Sequence, residues 1–160
     1  MIYVSTGGYA EQTAFKTATE LSKVGIKSYE MSGGLYDPDN RANLQLLTND
    51  ANVQLHNYFP PPKKPFVINL ASTDHDIVIQ TKRHIKHALD LSADIGSHLY
   101  SFHAGFLINP KVNELGKRVA KRPLINRNEA MNRFIENVNE MAVYAEKLNA
   151  ITRLVIILSI

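Results

Sequence analysis

The sequence contains no cysteine, and its apolar runs are all short. The absence of cysteine excludes a disulfide scaffold and any thiolate metal site. The amino terminus has no basic segment followed by a long apolar stretch, so we expect no signal peptide. No apolar run approaches the ~20 residues that a membrane helix needs. We therefore expect a cytoplasmic protein with no membrane partner.

The excess of one charge over the other is small as well. A formal net charge of +3 over 160 residues does not by itself argue for nucleic acid, which we do not expect as a partner. Hydrophobic residues make up 44% of the chain and charged residues 21%, as in ordinary globular proteins. The length suffices for one domain with a core.

Short apolar runs alternate with segments of helical periodicity. Strands are predicted at residues 2–5, 26–32, 53–56, 98–102 and 154–158, with a brief extended piece at 66–70. Helices are predicted between them, at about residues 10–24, 40–50, 73–95 and 128–149. This alternation predicts a parallel sheet with helices outside it. The sheet is either a small open, doubly wound one or part of an eight-stranded barrel, which typically needs ~250 residues.

Periodicity also predicts which helical side chains face the core. For the third helix these are Ile77, Thr81, Ile85, Ala88, Leu89 and Ser92. For the fourth they are Met131, Phe134, Ile135, Val138, Met141, Ala142, Ala145 and Leu148, and Asn126 is predicted to cap its start. His84 and His87 lie in a charged segment whose spacing fits a solvated helix face.

Polar side chains stand where the predicted strands end. Glu30 ends the second strand, His56 and Asn57 end the third, and His103 ends the fourth. The active site of a parallel α/β fold collects at these carboxyl ends. Imidazole and carboxylate groups are usual ligands of zinc and manganese, so a divalent-metal site is predicted here. The alternative is that each histidine merely caps or packs its strand.

A basic loop, residues 107–126, leaves the same end of the sheet. It carries Lys111, Lys117, Arg118, Lys121 and Arg122. Such a loop would suit an anionic substrate such as a sugar phosphate, and Lys117 and Arg118 are predicted to bind it together with Asn57. The alternative is a mobile, solvated loop.

Three segments together resemble a known family. They are residues 55–60 (Leu-His-Asn-Tyr-Phe-Pro), 69–72 (Asn-Leu-Ala-Ser) and 101–106 (Ser-Phe-His-Ala-Gly-Phe). Their order and spacing resemble the xylose isomerase-like TIM barrel superfamily, which includes sugar phosphate isomerases/epimerases and apurinic-site endonucleases. The resemblance covers the chain to about residue 150. It implies an α/β fold, the amino-terminal half of a (β/α)8 barrel, with residues 1–160 forming one partial domain.

The resemblance also implies roles for the residues at the strand ends. In this family a histidine after the third strand and another in a His-x-Gly turn after the fourth contribute to a divalent-metal site, and His56 and His103 match them. The implied cofactor is Zn, Mn or Mg. The implied activity is isomerisation or epimerisation of a sugar or sugar phosphate, with Glu30 as a candidate catalytic carboxylate.

The sequence departs from the family at its carboxyl terminus. The family's fifth strand usually ends with a metal-binding glutamate, whereas residues 152–160 contain no carboxylate. We therefore expect a truncated barrel with an incomplete ligand set, whose open sheet edges favour self-association. Two alternatives stay open: a metal phosphodiesterase like the apurinic-site endonucleases, which the modest charge disfavours, and an inactive fragment.

Overall fold

Strands and helices alternate along the chain. The computed structural model describes residues 2–9, 11–97, 99–119, 121–148 and 153–157. The strands are β1 (Val4–Ser5), β2 (Ser28–Met31), β3 (Asn52–His56), β4 (Leu99–His103) and β5 (Arg153–Ile157). The helices are α1 (Ala14–Lys23), α2 (Asn40–Thr48), α3 (His75–Asp94) and α4 (Arg127–Lys147), with a short 3-10 helix at Val112–Glu114. Each predicted helix is present, and each of the five predicted main strands overlaps an observed one.

The sheet places its strands in chain order. The order is β1-β2-β3-β4-β5, and every neighbouring pair is parallel. A doubly wound sheet would reverse its direction of growth at a switch point, and this one does not. A steady progression around the sheet is the arrangement of a barrel wall. The prediction of a partial parallel barrel is confirmed, and the doubly wound alternative is wrong.

One face of the sheet is apolar and faces the helices. The strand register aligns Tyr29 with Val53, Met31 with Leu55, and Leu55 with Tyr100. All of these side chains are buried in the main hydrophobic core, which also includes residues of α1, α2, α3 and α4. Because side chains alternate along a strand, the residues between them lie on the opposite face.

The α3 helix buries most of its predicted inner face. Its buried residues are Val78, Thr81, His84, Ile85, Ala88, Leu89, Leu91 and Ser92. Ile77 is only half-buried, since Val78 takes the inner position in the first turn. The prediction of a solvated His84 is wrong, because its ring stacks on Tyr58 in the segment after β3 and is only 8% exposed. His87 is exposed, as predicted.

The α4 helix faces the core with part of its predicted inner face, since Phe134, Val138, Met141, Ala145 and Leu148 all contribute to the core or pack against it. Its buried residues are Ala130, Asn137, Met141 and Ala145. Met131 and Ile135, predicted to face inwards, are 47% and 49% exposed. Asn137 takes an inner position instead, because its side-chain amide donates a hydrogen bond of 2.8 Å to the carbonyl of Leu70. The predicted cap is confirmed: the Asn126 side chain accepts hydrogen bonds from two backbone amides of the first turn.

The connecting segments are mostly irregular. Residues 66–70, predicted to be extended, form no strand, since the amide of Asn69 is bound by the Thr81 hydroxyl at 3.1 Å instead of a ladder partner. His98 and Leu158, predicted as strand residues, lie outside the described residues. Across the described ranges, none of the helices combines the length and hydropathy needed to cross a bilayer.

Candidate functional site

The sheet face opposite the helices is polar at its carboxyl end. Glu30 is aligned with Gln54 across β2 and β3, and His56 with Ser101 across β3 and β4. His103 lies two residues beyond Ser101 and therefore on the same face. Strand alternation thus gathers a carboxylate, an amide, a hydroxyl and two imidazoles on one side of the sheet. We call these five residues the polar sheet face.

His56 and His103 lie side by side at the ends of β3 and β4. Their ring centroids are 5.5 Å apart and their planes meet at 77°. The Nδ1 atom of His56 lies 2.8 Å from the hydroxyl oxygen of Ser101, so Nε2 is the nitrogen through which His56 would bind a metal. The structure therefore brings together the two histidines that the sequence singled out, although they are 47 positions apart along the chain.

Glu30 acts on His56 from the neighbouring strand, β2. Its Oε2 atom accepts a hydrogen bond of 3.3 Å from the Gln54 side chain. Burial lowers the pKa of His56 most, the Glu30 charge raises it and His103 lowers it, with a net result below the ordinary value. The lowered pKa favours the neutral imidazole, which is the form that ligates metals.

These side chains are of the types that bind a divalent metal, but too few of them lie close together. Imidazole nitrogen and carboxylate oxygen are normal ligands, and a catalytic zinc has about three of them from the protein. Within the described part of the chain, no three His, Asp or Glu side chains converge closely enough to hold an ion. His56 and His103 would supply two ligands, while Glu30 belongs to the same face without completing a three-ligand cluster.

Asn57 joins the ends of β3 and β4. Its backbone is left-handed, with φ of 43°, and its N–H donates a 2.6 Å hydrogen bond to the Ser101 carbonyl. Its side-chain Oδ1 accepts from the backbone amide of His103 at 3.4 Å. The side chain predicted to bind substrate is therefore engaged with the backbone of the second histidine.

Lys117 and Arg118 are exposed in the basic loop. Other residues fix the loop. Arg122 forms an ion pair with the Glu114 carboxylate and donates a hydrogen bond of 3.1 Å to the carbonyl of Asn109. Among the described contacts, none joins Lys117 or Arg118 to the polar sheet face. Their role in binding substrate stays a prediction.

Asn69 has a positioning role that the sequence did not reveal. Its buried side chain, 1% exposed, donates to the carbonyls of Phe106 and Ile108 and accepts from the amide of Phe106. It thereby fixes the loop that follows His103 against the segment before α3. The available signal was an asparagine among apolar residues in the segment 66–71, because a buried amide requires partners.

Comparisons with known proteins agree with this architecture. The family model described as xylose isomerase-like TIM barrel matches residues 18–156. No curated protein matches the sequence significantly.

Several solved structures share the fold at low sequence identity. The TTHB071 protein from Thermus thermophilus, soaked with ZnCl2, is 21% identical, with a TM-score of 0.57 over 94% of this chain and 56% of that one. A D-tagatose 3-epimerase-like protein is 14% identical, with a TM-score of 0.62 over 91% of this chain and 51% of that one. The D-allulose 3-epimerase from Methylomonas sp., in complex with D-allulose, is 15% identical, with a TM-score of 0.59 over 98% and 52%.

The chain thus spans about half the length of these structures. The family match extends over most of the sequence, and the strand order is that of a barrel wall. This chain belongs to the xylose isomerase-like TIM barrel family.

Proposed function

We propose that this chain carries part of the active site of a divalent-metal-dependent isomerase or epimerase of a sugar or sugar phosphate. The observation that carries the proposal is the pair His56 and His103, whose rings lie 5.5 Å apart at the carboxyl ends of neighbouring parallel strands. The names of two structures with the same fold, a D-tagatose 3-epimerase-like protein and a D-allulose 3-epimerase, support this substrate class.

We propose a task for each of the predicted site residues, on the polar sheet face and beside it. His56 and His103 would hold the metal (Zn, Mn or Mg), which supplies Lewis-acid polarisation of substrate oxygens when bound. Glu30 would move a proton as a general base, because it is the carboxylate of this face. Asn57 would contact the sugar, and Lys117 and Arg118 would bind a phosphate from the exposed loop.

The remaining ligands would come from outside the described residues. The chain spans about half of the solved barrels, and its site lacks a third close carboxylate or imidazole in the described part. We propose that further protein surface completes the site beside the outer strands of the described sheet, β1 and β5, and that this surface belongs either to the same polypeptide or to another copy of this chain.

Zinc titration by competition with a chromophoric chelator tests the metal site. We expect the parent chain to bind Zn²⁺, and His56→Ala and His103→Ala each to weaken binding by about 10-fold or more. His87→Ala is the matched control, because His87 is exposed on α3 and should not change the affinity. Negligible binding by the parent, or equal binding by all variants, would refute the proposed site.

Substrate assays test the reaction class. The chain with bound metal is incubated with a panel of ketoses, aldoses and their phosphates, and in parallel with an oligonucleotide that contains an abasic site. Conversion between sugar epimers or isomers that is abolished in Glu30→Gln supports the proposal. Cleavage of the oligonucleotide without sugar conversion would instead assign a phosphodiesterase.

A further inference from the structure

We propose that His84 is a positioning residue for the pair His56 and His103 and acts through the backbone carbonyl of Asn57. The inference rests on the proposed function, because it concerns the geometry of the two metal-binding imidazoles. It assigns a task to a buried side chain of α3 that lies outside the polar sheet face.

Asn57 needs support from its neighbours. Among the described residues it is the one non-glycine residue with a positive φ, a conformation that costs asparagine less than most residues but is still disfavoured. It directly follows His56, and its Oδ1 accepts from the amide of His103. The conformation of this single residue therefore affects the ends of both histidine-bearing strands.

Two donors converge on the Asn57 carbonyl from the apolar side. The Tyr100 hydroxyl donates at 2.8 Å, and Nε2 of His84 lies 3.4 Å from the same oxygen. A carbonyl oxygen has two lone pairs and accepts both bonds. Together they fix the direction of the peptide group that follows His56.

The His84 ring is itself held in place. It stacks on Tyr58 at 5.6 Å between centroids and meets the edge of Phe66 at 5.7 Å. The Tyr58 hydroxyl accepts a 2.7 Å hydrogen bond from the amide of Phe66, which links the two residues whose rings contact His84. Burial lowers the pKa of His84 to about 4, so the ring is neutral near pH 7 and donates to the carbonyl when its proton is on Nε2.

Helix α3, which packs on the apolar face of the sheet, is thus connected to the proposed metal-binding residues through the carbonyl of Asn57. If the bond from His84 is lost, the peptide after His56 gains freedom, and the link from Asn57 to His103 loosens with it. The distance and angle between the two imidazoles should then vary. A metal that requires both rings at a fixed separation would bind more weakly.

Matched substitutions of two histidines on α3 test the inference. His84→Phe keeps a ring for Tyr58 and Phe66 but removes the donor, whereas His84→Gln supplies an amide donor at a similar reach. His87→Phe is the control on the exposed side of the same helix. The readouts are Zn²⁺ affinity, the nuclear Overhauser effect between ring protons of His56 and His103, and the melting temperature.

We expect His84→Phe to lower Zn²⁺ affinity about 10-fold and to weaken the Overhauser effect between the rings. His84→Gln should keep most of the Zn²⁺ affinity and of the Overhauser effect, and His87→Phe should change neither quantity. If His84→Phe fails to fold, Tyr100→Phe removes the other donor to the same carbonyl and is judged by the same criteria.

Unchanged affinity together with an unchanged Overhauser effect in a folded His84→Phe overturns the inference. Lower affinity with an unchanged Overhauser effect also overturns it, since the rings would not have moved. If the parent binds no Zn²⁺, the proposed function fails, but the Overhauser comparison needs no metal and still decides whether His84 positions the pair.

Discussion

At the scale of single residues, the turn after β4 leaves no room for a side chain. Gly105 has φ of +130°, and a Cβ atom there would lie 2.5 Å from the Oδ1 atom of Asn69. Asn69 cannot easily move, because the same oxygen accepts from the amides of Ala71 and Phe106. Backbone strain and a steric clash therefore coincide at this glycine.

We expect Gly105→Ala to lower the free energy of unfolding by on the order of 2 kcal/mol. Urea denaturation monitored by circular dichroism measures the change. Gly8→Ala is the control, because a Cβ atom at Gly8 meets nothing within 4 Å. Equal stability of the two variants would contradict the clash.

The buried His84 should make stability depend on pH. Its pKa is lowered to about 4 from the ordinary 6.5, chiefly by burial, so the unfolded chain binds the proton more tightly than the folded one. The neutral His84 contributes about 3 kcal/mol to the free energy of unfolding above pH 6.5. This contribution is lost as the pH falls towards 4. His56, whose pKa is also lowered, adds to the loss in the same direction.

Urea denaturation at a series of pH values measures how much His84 contributes to the pH dependence of the unfolding free energy. The decline in unfolding free energy between pH 6.5 and 4 should be shallower in His84→Gln than in the parent. His87→Gln should change the slope far less, because His87 is exposed and its charge is a minor cause of the lowered His84 pKa. Parallel curves for all three proteins would contradict a neutral, buried His84.

The sequence predicted some of these residues and not others, for physical reasons. His56 and His103 were identifiable because each follows an apolar run that forms a strand. The burial of His84 was hidden, since it lies among Lys82, Arg83 and Lys86, which resemble a solvated face. Its partner Tyr58 belongs to an irregular segment whose path no periodicity predicts.

At the scale of elements, α3 has a well-formed amino-terminal cap. The Asp74 side chain accepts hydrogen bonds from the amides of Asp76 and Ile77, at 3.0 and 3.3 Å. Asp39 occupies the corresponding position before α2, but its side chain makes no capping bond. The two aspartates therefore form a natural comparison of cap strength.

We expect Asp74→Ala to reduce the unfolding free energy by about 1 kcal/mol. Asp39→Ala should change it by less than about 0.5 kcal/mol. Thermal or urea unfolding of both variants measures the difference. A loss at Asp39 as large as that at Asp74 would show that the capping bonds are not the cause.

Helix positions were easier to predict than helix faces. Three-four spacing located α3 and α4 to within a few residues. The face of α4 was predicted only in part: Met131 and Ile135 are apolar but exposed, whereas the polar Asn137 takes an inner position. Its bond to the carbonyl of Leu70 is a tertiary contact, and local periodicity carries no information about it.

At the scale of the whole molecule, the strands at the two sides of the described sheet bear on association. β1 and β5 are the outer strands of the described sheet. The amide of Thr6 donates to the Glu30 carbonyl of β2, so the preceding amide, that of Ser5, points to the other side. An outward backbone donor on an edge strand can pair with another chain.

We expect the chain to self-associate in a concentration-dependent way, as sedimentation velocity would show. Ser5→Pro removes the outward donor and should shift the distribution towards a single chain. Ser5→Ala is the control, since it deletes the hydroxyl but keeps the amide. A parent that sediments as one chain at every concentration would refute association through this edge.

Alternation of strands and helices predicted a parallel sheet, but it left the closure undecided between an open sheet and a barrel. Strand order decides it, and strand order depends on contacts between segments that are distant in sequence. The family resemblance, carried by residues 55–60, 69–72 and 101–106, implied the barrel because that is the fold of the family.

The two faces of the sheet make the site sensitive to register. A one-residue slip within β3 would turn His56 towards the helices and Leu55 towards the polar side, because side chains alternate with a period of two. Substitution at either histidine removes one proposed ligand. A single inserted residue in β3 would instead bury a titratable imidazole and expose a core side chain at the same time. Insertions and deletions in these short strands should therefore be tolerated far less well than point substitutions, and the spacing of residues 52–56 restricts variation more tightly than their identity.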